Sequence, residues 1–300
     1  MLFASFLSLR NRMASYTRTL HVRFPMEQWP GWYIAELNLQ AQSITSFLSP
    51  DSSPPPTPQL ESPGFDSDSD SNRSYELYND DSRLTLKVDP DTCTDYGSDS
   101  PVFRAFVVRD RDDYGKECRR SSGSFSMNEN KGIAFHDPKT PIALKFALRE
   151  DLLDDLAQEA EIYEGALCSL QGDIVPQCYG FFTGIGSEGQ RIACLVLEYW
   201  GESLQVPFRK LPIDVRLRIL DSLGELHKCG LHHGDFAERN VLMNDNDIRL
   251  IDFDQSVYHD CDCETTFQFR LEVGKQIPDV TEFGCPTLWE ICRSDMGIWG

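Results

Sequence analysis

The chain has 300 residues, 40% of them hydrophobic, so it can form one large domain or two small ones with an apolar core. Its formal net charge of −20 at pH 7 argues against a nucleic-acid-binding groove, which needs a basic stripe. No apolar run reaches the roughly 20 residues of a membrane span. We therefore expect a monomer that binds no nucleic acid and spans no membrane.

Residues 1–42 begin with a basic segment whose structure the sequence leaves open. Four arginines and several serines lie in residues 1–25, and the first acid in the chain is Glu27. This pattern resembles an organelle-import presequence. The alternatives are a basic N-terminal tail or a start of translation at Met13.

Residues 43–100 have the composition of a disordered linker. They are rich in Pro, Ser and Asp, and between Ala41 and Ser100 twelve acidic and three basic residues give a net charge of −9. Such a segment buries too little apolar surface to offset the entropy that is lost on ordering. We therefore expect the folded part of the chain to begin near Pro101.

The ten cysteines are scattered and form no dense framework, which is typical of reduced thiols in an intracellular protein. We expect a cytoplasmic or nuclear location, with mitochondrial import as the alternative. A zinc site is a further hypothesis, although the spacing of its candidate ligands matches no common pattern. These candidates are His259, Cys261, Cys263, Cys285 and Cys292.

Residues 141–147 read as a buried strand that carries one lysine, Lys145. A lysine in an apolar strand is costly unless it is paired, and the alternative is that it faces solvent at a sheet edge. Residues 151–170 offer a partner, because apolar residues recur there at helical spacing. Glu159 and Glu164 border the apolar face and either one can reach Lys145, whereas Glu161 points away; the alternative is that all three are ordinary surface acids.

Residues 178–183 and 191–199 predict two strands around a glycine-rich turn. No helix follows this turn, which favours a hairpin over a phosphate-binding loop. Residues 213–229 predict a helix that begins after Pro212 and ends at Gly230. It is apolar on two sides, so we expect it to be buried.

The stretch from residue 232 to residue 254 places three polar groups around a predicted hairpin. Two short apolar runs flank an Asn- and Asp-rich turn, and Asn240 and Asp252 stand at the open ends. Asp235 precedes Asn240 by five residues, so all three side chains are expected to converge. Such a cluster suits Mg²⁺. A surface hairpin with polar turn residues is the alternative, but it does not explain the polar groups opposite the turn.

In this order the segments resemble the protein-kinase superfamily. Ala143-Leu144-Lys145 is similar to the Val-Ala-Ile-Lys strand, His233-Gly234-Asp235 with Asn240 to the catalytic loop, and Asp252-Phe253-Asp254 to the Asp-Phe-Gly motif. The resemblance implies an α+β fold of two lobes behind a disordered N-terminal region. A small β-rich N-lobe with a regulatory helix and the hinge would cover residues 101–200. A short, mainly helical C-lobe would cover residues 201–300.

The resemblance also implies ATP and Mg²⁺ as cofactors, with an unknown protein or small-molecule acceptor. Asp235 would be the catalytic base, Lys145 would hold phosphate, and Glu159 or Glu164 would pair with that lysine. Asn240 and Asp252 would hold the metal. The remaining nucleotide contacts would come from the glycine loop and from backbone groups of the hinge, at Gly123, Glu198, Tyr199 and Trp200.

Several departures from the family pattern widen the functional hypotheses. Residues 121–126 keep one glycine of the Gly-rich loop, Gly234 replaces the usual arginine, Asp254 replaces the usual glycine, and 46 residues follow Asp254. The catalytic loop resembles atypical kinases and aminoglycoside or choline phosphotransferases. The whole resembles compact, divergent protein-kinase-domain proteins of fungi. We therefore predict a kinase acting on a Ser or Thr hydroxyl, with a small-molecule kinase or a pseudokinase scaffold as alternatives.

Overall fold

The computed structural model describes residues 19–26, 30, 33–44, 83–92, 100–108, 140–245, 247–260 and 269–299. The predicted glycine loop with Gly123, most of the presequence-like segment, Cys261 and Cys263 lie outside these ranges. Among the described residues, no helix combines the length and the apolar character needed to cross a bilayer.

Seven strands form a closed barrel in the first lobe. They are β1 (Thr19–Arg23), β2 (Glu36–Ala41), β3 (Arg83–Val88), β4 (Val102–Val107), β5 (Pro141–Ala147), β6 (Cys178–Ile185) and β7 (Arg191–Glu198). Their order around the barrel is β1-β2-β6-β7-β5-β4-β3. Neighbouring strands are antiparallel except β1 and β3, whose parallel pairing closes the barrel.

Alternating side chains fill the barrel interior. In β2, Leu37 and Leu39 are buried while the residues between and around them are exposed, as expected for a strand with one apolar face. Phe103 of β4 and Phe146 of β5 meet inside the barrel, with ring centroids 5.9 Å apart. Strand β5 is buried on both faces, because a helix covers its outer side.

The predicted linker is wrong at its C-terminal end, because residues 83–88 form β3. The sequence there alternates Leu84, Leu86 and Val88 with polar residues, but the acidic composition of the longer segment hides this six-residue pattern. Strands β1 and β2 also belong to the barrel. The first lobe therefore begins well before Pro101.

Helix α1 (Leu153–Glu164) covers the outer face of the barrel. It follows a 3₁₀ turn and is shorter than the predicted range 151–170, because the chain leaves the helix at Gly165. Leu167 and Leu170 remain buried in the turns that follow. The helical spacing of apolar residues thus continues beyond the end of the helix.

The second lobe combines one long helix with two small sheets. Its helices are α2 (Ile213–Lys228), α3 (Phe269–Glu272), α4 (Val280–Phe283) and α5 (Pro286–Glu290), and a π-helical turn spans Ile291–Asp295. Its strands are β8 (Glu202–Ser203), β9 (Leu231–His232), β10 (Val241–Asn244), β11 (Asp247–Leu250) and β12 (Val257–Tyr258). Strands β11, β10 and β8 form one sheet, and β12 pairs with β9 in the other.

Helix α2 begins after Pro212 and ends at Lys228, one residue before the end of the predicted range. Gly230, just beyond it, is in the left-handed region at φ 75°. In the described part of residues 201–300, α2 is the one α-helix longer than five residues. The expectation of a mainly helical C-lobe was therefore too simple. Much of this lobe consists of short strands and loops that hold the polar residues of the site.

Candidate active site

The predicted hairpin around residues 241–250 is confirmed. Strands β10 and β11 pair antiparallel, with Val241 opposite Leu250 at the open end. Beyond that pair, the Ile251 backbone amide donates a hydrogen bond to the Asn240 carbonyl at 3.0 Å. Asn240 and Asp252 are thus held on neighbouring segments at the end of the hairpin opposite its turn.

Asp235 and Asn240 are directly linked. The Asn240 Nδ2 atom donates hydrogen bonds to the Asp235 backbone oxygen at 2.8 Å and to its carboxylate Oδ2 at 3.1 Å. Arg239 donates to both carboxylate oxygens, at 2.7 and 2.5 Å. The Asp235 side chain remains 26% exposed, so an oriented carboxylate reaches the surface. Arg239 was not predicted to contact Asp235, although a spacing of four residues allows such an ion pair.

Lys145 joins the two lobes through a pair of carboxylates. Its Nζ atom lies 2.6 Å from Glu159 Oε2 on α1 and 2.5 Å from Asp252 Oδ1 in the second lobe. Lys145 is on the outer face of β5, between Ala143 and Ala147, where α1 covers it. Burial alone lowers the pKa of Lys145, but Glu159 and Asp252 outweigh it, so the pKa is raised and the ammonium stays charged.

Of the two candidate glutamates, Glu159 meets Lys145. Glu159 is fully buried, whereas Glu164 is the last residue of α1 and is exposed, as is Glu161. The second carboxylate oxygen of Glu159 accepts a hydrogen bond from the Phe253 amide at 3.3 Å. One glutamate therefore holds both the lysine of the barrel and the backbone beside Asp252.

A strained turn at Asp252 separates its side chain from that of Phe253. Asp252 has φ 71°, a left-handed conformation that non-glycine residues adopt at a cost. Its carboxylate meets Lys145, while Phe253 is buried between Tyr163 and His233 at centroid distances of 5.7 and 5.0 Å. The turn thus gives adjacent side chains opposite environments, one charged and one apolar.

Gly234 lies where the two loops of the site touch. Its φ is 79°, and a Cβ atom at this position would lie 1.9 Å from the Gln255 carbonyl oxygen. The neighbouring His233 Nε2 lies 3.0 Å from the Ile251 carbonyl, and Ser256 Oγ donates to the His233 carbonyl at 2.9 Å. Burial lowers the pKa of His233. The glycine is therefore required by the close contact of the loops.

Two arginines contact the predicted hinge residues. Arg249 of β11 forms an ion pair with Glu198, and its guanidinium lies 4.4 Å from the centre of the Trp200 ring. Arg104 of β4 lies 5.5 Å from the Tyr199 ring. Arg249 is 8% exposed and stands three residues before Asp252, so it connects the hinge to the loop that carries this aspartate. Arg249 was not predicted from the sequence, because a single arginine in a short strand carries no distinctive signal.

Asp254 adds a further carboxylate near the charged cluster. Its Oδ1 atom is buried and has no hydrogen-bond partner among the described residues. Burial, followed by the charge of Asp252, raises the pKa of Asp254. An unsatisfied carboxylate oxygen beside a second acid is a setting in which a bound cation would relieve both groups.

Two comparisons with known proteins give matches, and the family match lies in the second lobe. Residues 206–270 match the family model of the RIO domain, a range that includes Asp235, Asn240 and Asp252 but not Lys145. The chain is also similar to the KEOPS complex subunit Bud32 of Pyrococcus abyssi. The two are 32% identical over 71 residues, which cover 22% of this chain and 32% of that protein. The chain thus spans about a third of the curated relative that it matches.

The observed fold agrees with these matches. A β-rich lobe that carries one covering helix is joined to a second lobe that carries Asp235, Asn240 and Asp252, an arrangement compatible with a kinase-like fold. The matches do not extend to the finer resemblance to fungal proteins or to aminoglycoside phosphotransferases. The two matches support the resemblance of this chain to the protein-kinase superfamily.

Proposed function

We propose that this chain is an ATP- and Mg²⁺-dependent phosphotransferase, a protein kinase that transfers the γ-phosphate of ATP to a Ser or Thr hydroxyl. The observation that carries the proposal is the convergence of Lys145, Glu159 and Asp252 beside the Asp235–Asn240 pair. The RIO-domain match supports the same class of activity.

The donor groups of the site fit the proposed cofactors. Asp252 is 31% exposed in its side chain, Asp254 has an unsatisfied oxygen, and Asn240 carries an amide oxygen. Oxygen donors of this kind are those that Mg²⁺ prefers, so Asp252 and Asn240 would hold the ion. A bound Mg²⁺ would supply neutralisation of phosphate charge. Lys145 would give up its contact with Asp252 and hold phosphate, while Glu159 keeps the ammonium in place.

Asp235 is the residue proposed to act on the acceptor. Its carboxylate would orient the attacking hydroxyl and accept the proton as the new oxygen–phosphorus bond forms and ADP leaves. The contacts from Arg239 and Asn240 hold that carboxylate in one orientation. Positioning of this kind lowers the barrier because less orientational freedom must be lost in the reaction.

The identity of the acceptor separates the main proposal from its alternatives. Gly234 leaves no arginine before Asp235 to receive an activation-loop phosphate, which is compatible with a small-molecule acceptor as well as a protein. The matched relative is named as a subunit of a complex, so we also propose that this chain works within a protein assembly.

The first experiment measures nucleotide binding separately from turnover. We expect Mg-ATP at a hundred times its dissociation constant to stabilise the wild type by about 2.7 kcal/mol in a thermal-shift assay. Asp252→Ala should lose most of this shift. Asp235→Asn should keep the shift but lose phosphate transfer. Asp247→Asn, an exposed acid at the turn end of the same hairpin, is the matched control and should behave as the wild type.

The acceptor is then identified with labelled ATP. Transfer to Ser or Thr peptides supports the protein-kinase proposal, whereas transfer to an amino alcohol or a sugar alone selects the small-molecule alternative. Nucleotide binding without transfer to any acceptor selects the scaffold. A well-folded wild type that shows no shift with Mg-ATP would falsify every nucleotide-dependent proposal.

A further inference from the structure

A second group of metal-binding side chains lies away from the carboxylate cluster. His227, His259 and Cys285 each offer one ligand atom, and these three atoms all lie within 4.8 Å of one another. Cys285 Sγ is 3.7 Å from His259 Nε2, and the rings of His227 and His259 have centroids 4.8 Å apart. Cys285 is fully buried and the two histidines are partly buried.

Three separate elements bring these side chains together. His227 lies in the last turn of α2, and His259 directly follows β12. The His259 amide donates a hydrogen bond to the Gly230 carbonyl at 2.8 Å, which fixes its position beside the end of α2. Cys285 is the residue that precedes α5. The ligands are 32 and 26 residues apart in the sequence, so no short motif reveals the group.

The distances are close to those of a tetrahedral site. Zinc bonds of about 2.0–2.1 Å to nitrogen and 2.3 Å to sulfur place donor atoms about 3.3–3.6 Å apart in a tetrahedron. The distance between Cys285 and His259 already has this value to within about 0.2 Å. Bringing all three donors into range requires a contraction of at most about 1.5 Å, which rotation of two histidine rings can supply.

We propose that His227, His259 and Cys285 form a binding site for a divalent transition metal of the zinc class, with water as the fourth ligand. Imidazole nitrogen and thiolate sulfur select such a metal over Mg²⁺, which prefers oxygen. Binding converts the Cys285 thiol to a thiolate and releases its proton to solvent. A hydrogen bond between Cys285 and His259 would explain the contact of those two residues. It would not explain why the ligand atom of His227 also lies within 4.8 Å of both.

The position of the site indicates a structural role. Strand β12 pairs with β9, and β9 leads directly into the catalytic loop at Asp235. A metal bound by His227 and His259 therefore joins the end of α2 to β12, and Cys285 connects both to α5. The site would stabilise the lobe that holds the candidate active site without touching substrate.

Cobalt titration of the full-length chain tests this proposal. The reduced protein is stripped with a chelator, and Co²⁺ serves as the spectroscopic probe because a cobalt–thiolate bond gives charge-transfer absorption. We expect saturation at one equivalent and displacement by Zn²⁺. Cys285→Ser should abolish the charge-transfer band, and His227→Gln should weaken metal binding at least tenfold. Cys168→Ser, which removes an exposed thiol, should leave the band unchanged.

Thermal unfolding of the wild type provides a readout that needs no variant. Zn²⁺ should raise the melting temperature of the stripped protein, and the chelator should reverse the rise. The proposal is overturned if neither metal binds to the folded wild type, or if the band persists in Cys285→Ser because other thiols bind cobalt. No step uses ATP, so failure of this proposal and failure of the phosphotransferase proposal are distinguishable.

Discussion

Gly234 lies against the Gln255 carbonyl, where the two loops of the site meet. In the family pattern that the sequence resembles, an arginine stands at this position and Gly234 replaces it. In the structure its missing side chain makes room for the Gln255 carbonyl and allows a left-handed backbone. The substitution is therefore also a packing requirement between the two loops of the site, which the spacing of motifs could not predict.

We predict that Gly234→Ala destabilises the protein by about 2 kcal/mol or more, because backbone strain and overlap with Gln255 add. Urea denaturation measures this change. Gly189→Ala is the matched control, since Gly189 has a similar φ of 82° but nothing within 4 Å of an added Cβ. It should cost only about 1–2 kcal/mol of strain. Equal losses for the two variants would contradict the contact between the loops.

The sequence does not predict which glutamate pairs with Lys145. The helical pattern predicts Glu159 and Glu164 at the borders of one apolar face and Glu161 outside it, whereas in the structure Glu159 is fully buried and the other two are exposed. Which side of α1 faces β5 depends on how the helix docks on the barrel, and the sequence of the helix alone does not determine this orientation. Asp252 is the second partner of Lys145 because the two lobes meet there. Only the tertiary structure shows this contact.

Among the elements, β5 and α1 are joined by a buried charge pair as well as by apolar packing. Lys145 and Glu159 are 6% and 0% exposed. Removing Lys145 leaves the buried Glu159 carboxylate without its partner, which typically costs about 3–5 kcal/mol, whereas removing Glu159 leaves Lys145 paired with Asp252. The pair therefore makes the docking of α1 specific, even if its net contribution to stability is small.

We predict that Lys145→Met lowers the free energy of unfolding by about 3 kcal/mol or more, and that Glu159→Met lowers it by less because Asp252 still pairs with Lys145. The double variant should lose less than the sum of the two. The measurement is a double-mutant cycle in urea. The exposed pair of Arg149 and Asp151, with both side chains at least 60% exposed, is the control and should show far weaker coupling, because water screens the two charges. Additive losses for Lys145 and Glu159 would show that the buried contact is absent in solution.

Elements with a strong local pattern were predicted well. The hairpins β6–β7 and β10–β11 and helix α2 agree with their predicted positions to within a few residues. Strand β3 was missed because it is short and follows a long acidic segment. The barrel itself was not predictable, since its closure by β1 and β3 is a contact between segments about 60 residues apart.

For the whole molecule, the barrel makes the first lobe depend on the N-terminal strands. Leu20 and Val22 of β1 and Leu86 of β3 are fully buried in its interior. Without these strands, β4 and β6 would each expose an edge, and the apolar residues around Phe103 would lose their cover. The boundary suggested by composition therefore cuts through a cooperative unit.

We predict that a chain beginning at residue 101 does not form a folded first lobe. It should show no cooperative melting of that lobe by circular dichroism and should aggregate in size-exclusion chromatography, because the barrel is opened. A chain beginning at Met13 keeps all seven strands and should melt as the full-length protein does. If the shorter chain melts at the same temperature as the longer one, the barrel is not required for folding.

The pairing of β9 with β12 has a consequence for movement. Together with the β10–β11 hairpin it ties the chain from His232 to Val257 at both ends, so Asp235, Asn240 and Asp252 form one rigid triangle. Lys145 reaches this triangle from the barrel. Opening of the two lobes would lengthen the distance from Lys145 Nζ to Asp252 Oδ1, now 2.5 Å, and that from the Phe253 amide to Glu159 Oε1, now 3.3 Å. The distance between spectroscopic labels in β5 and at residue 254 would report whether the two lobes are open or closed.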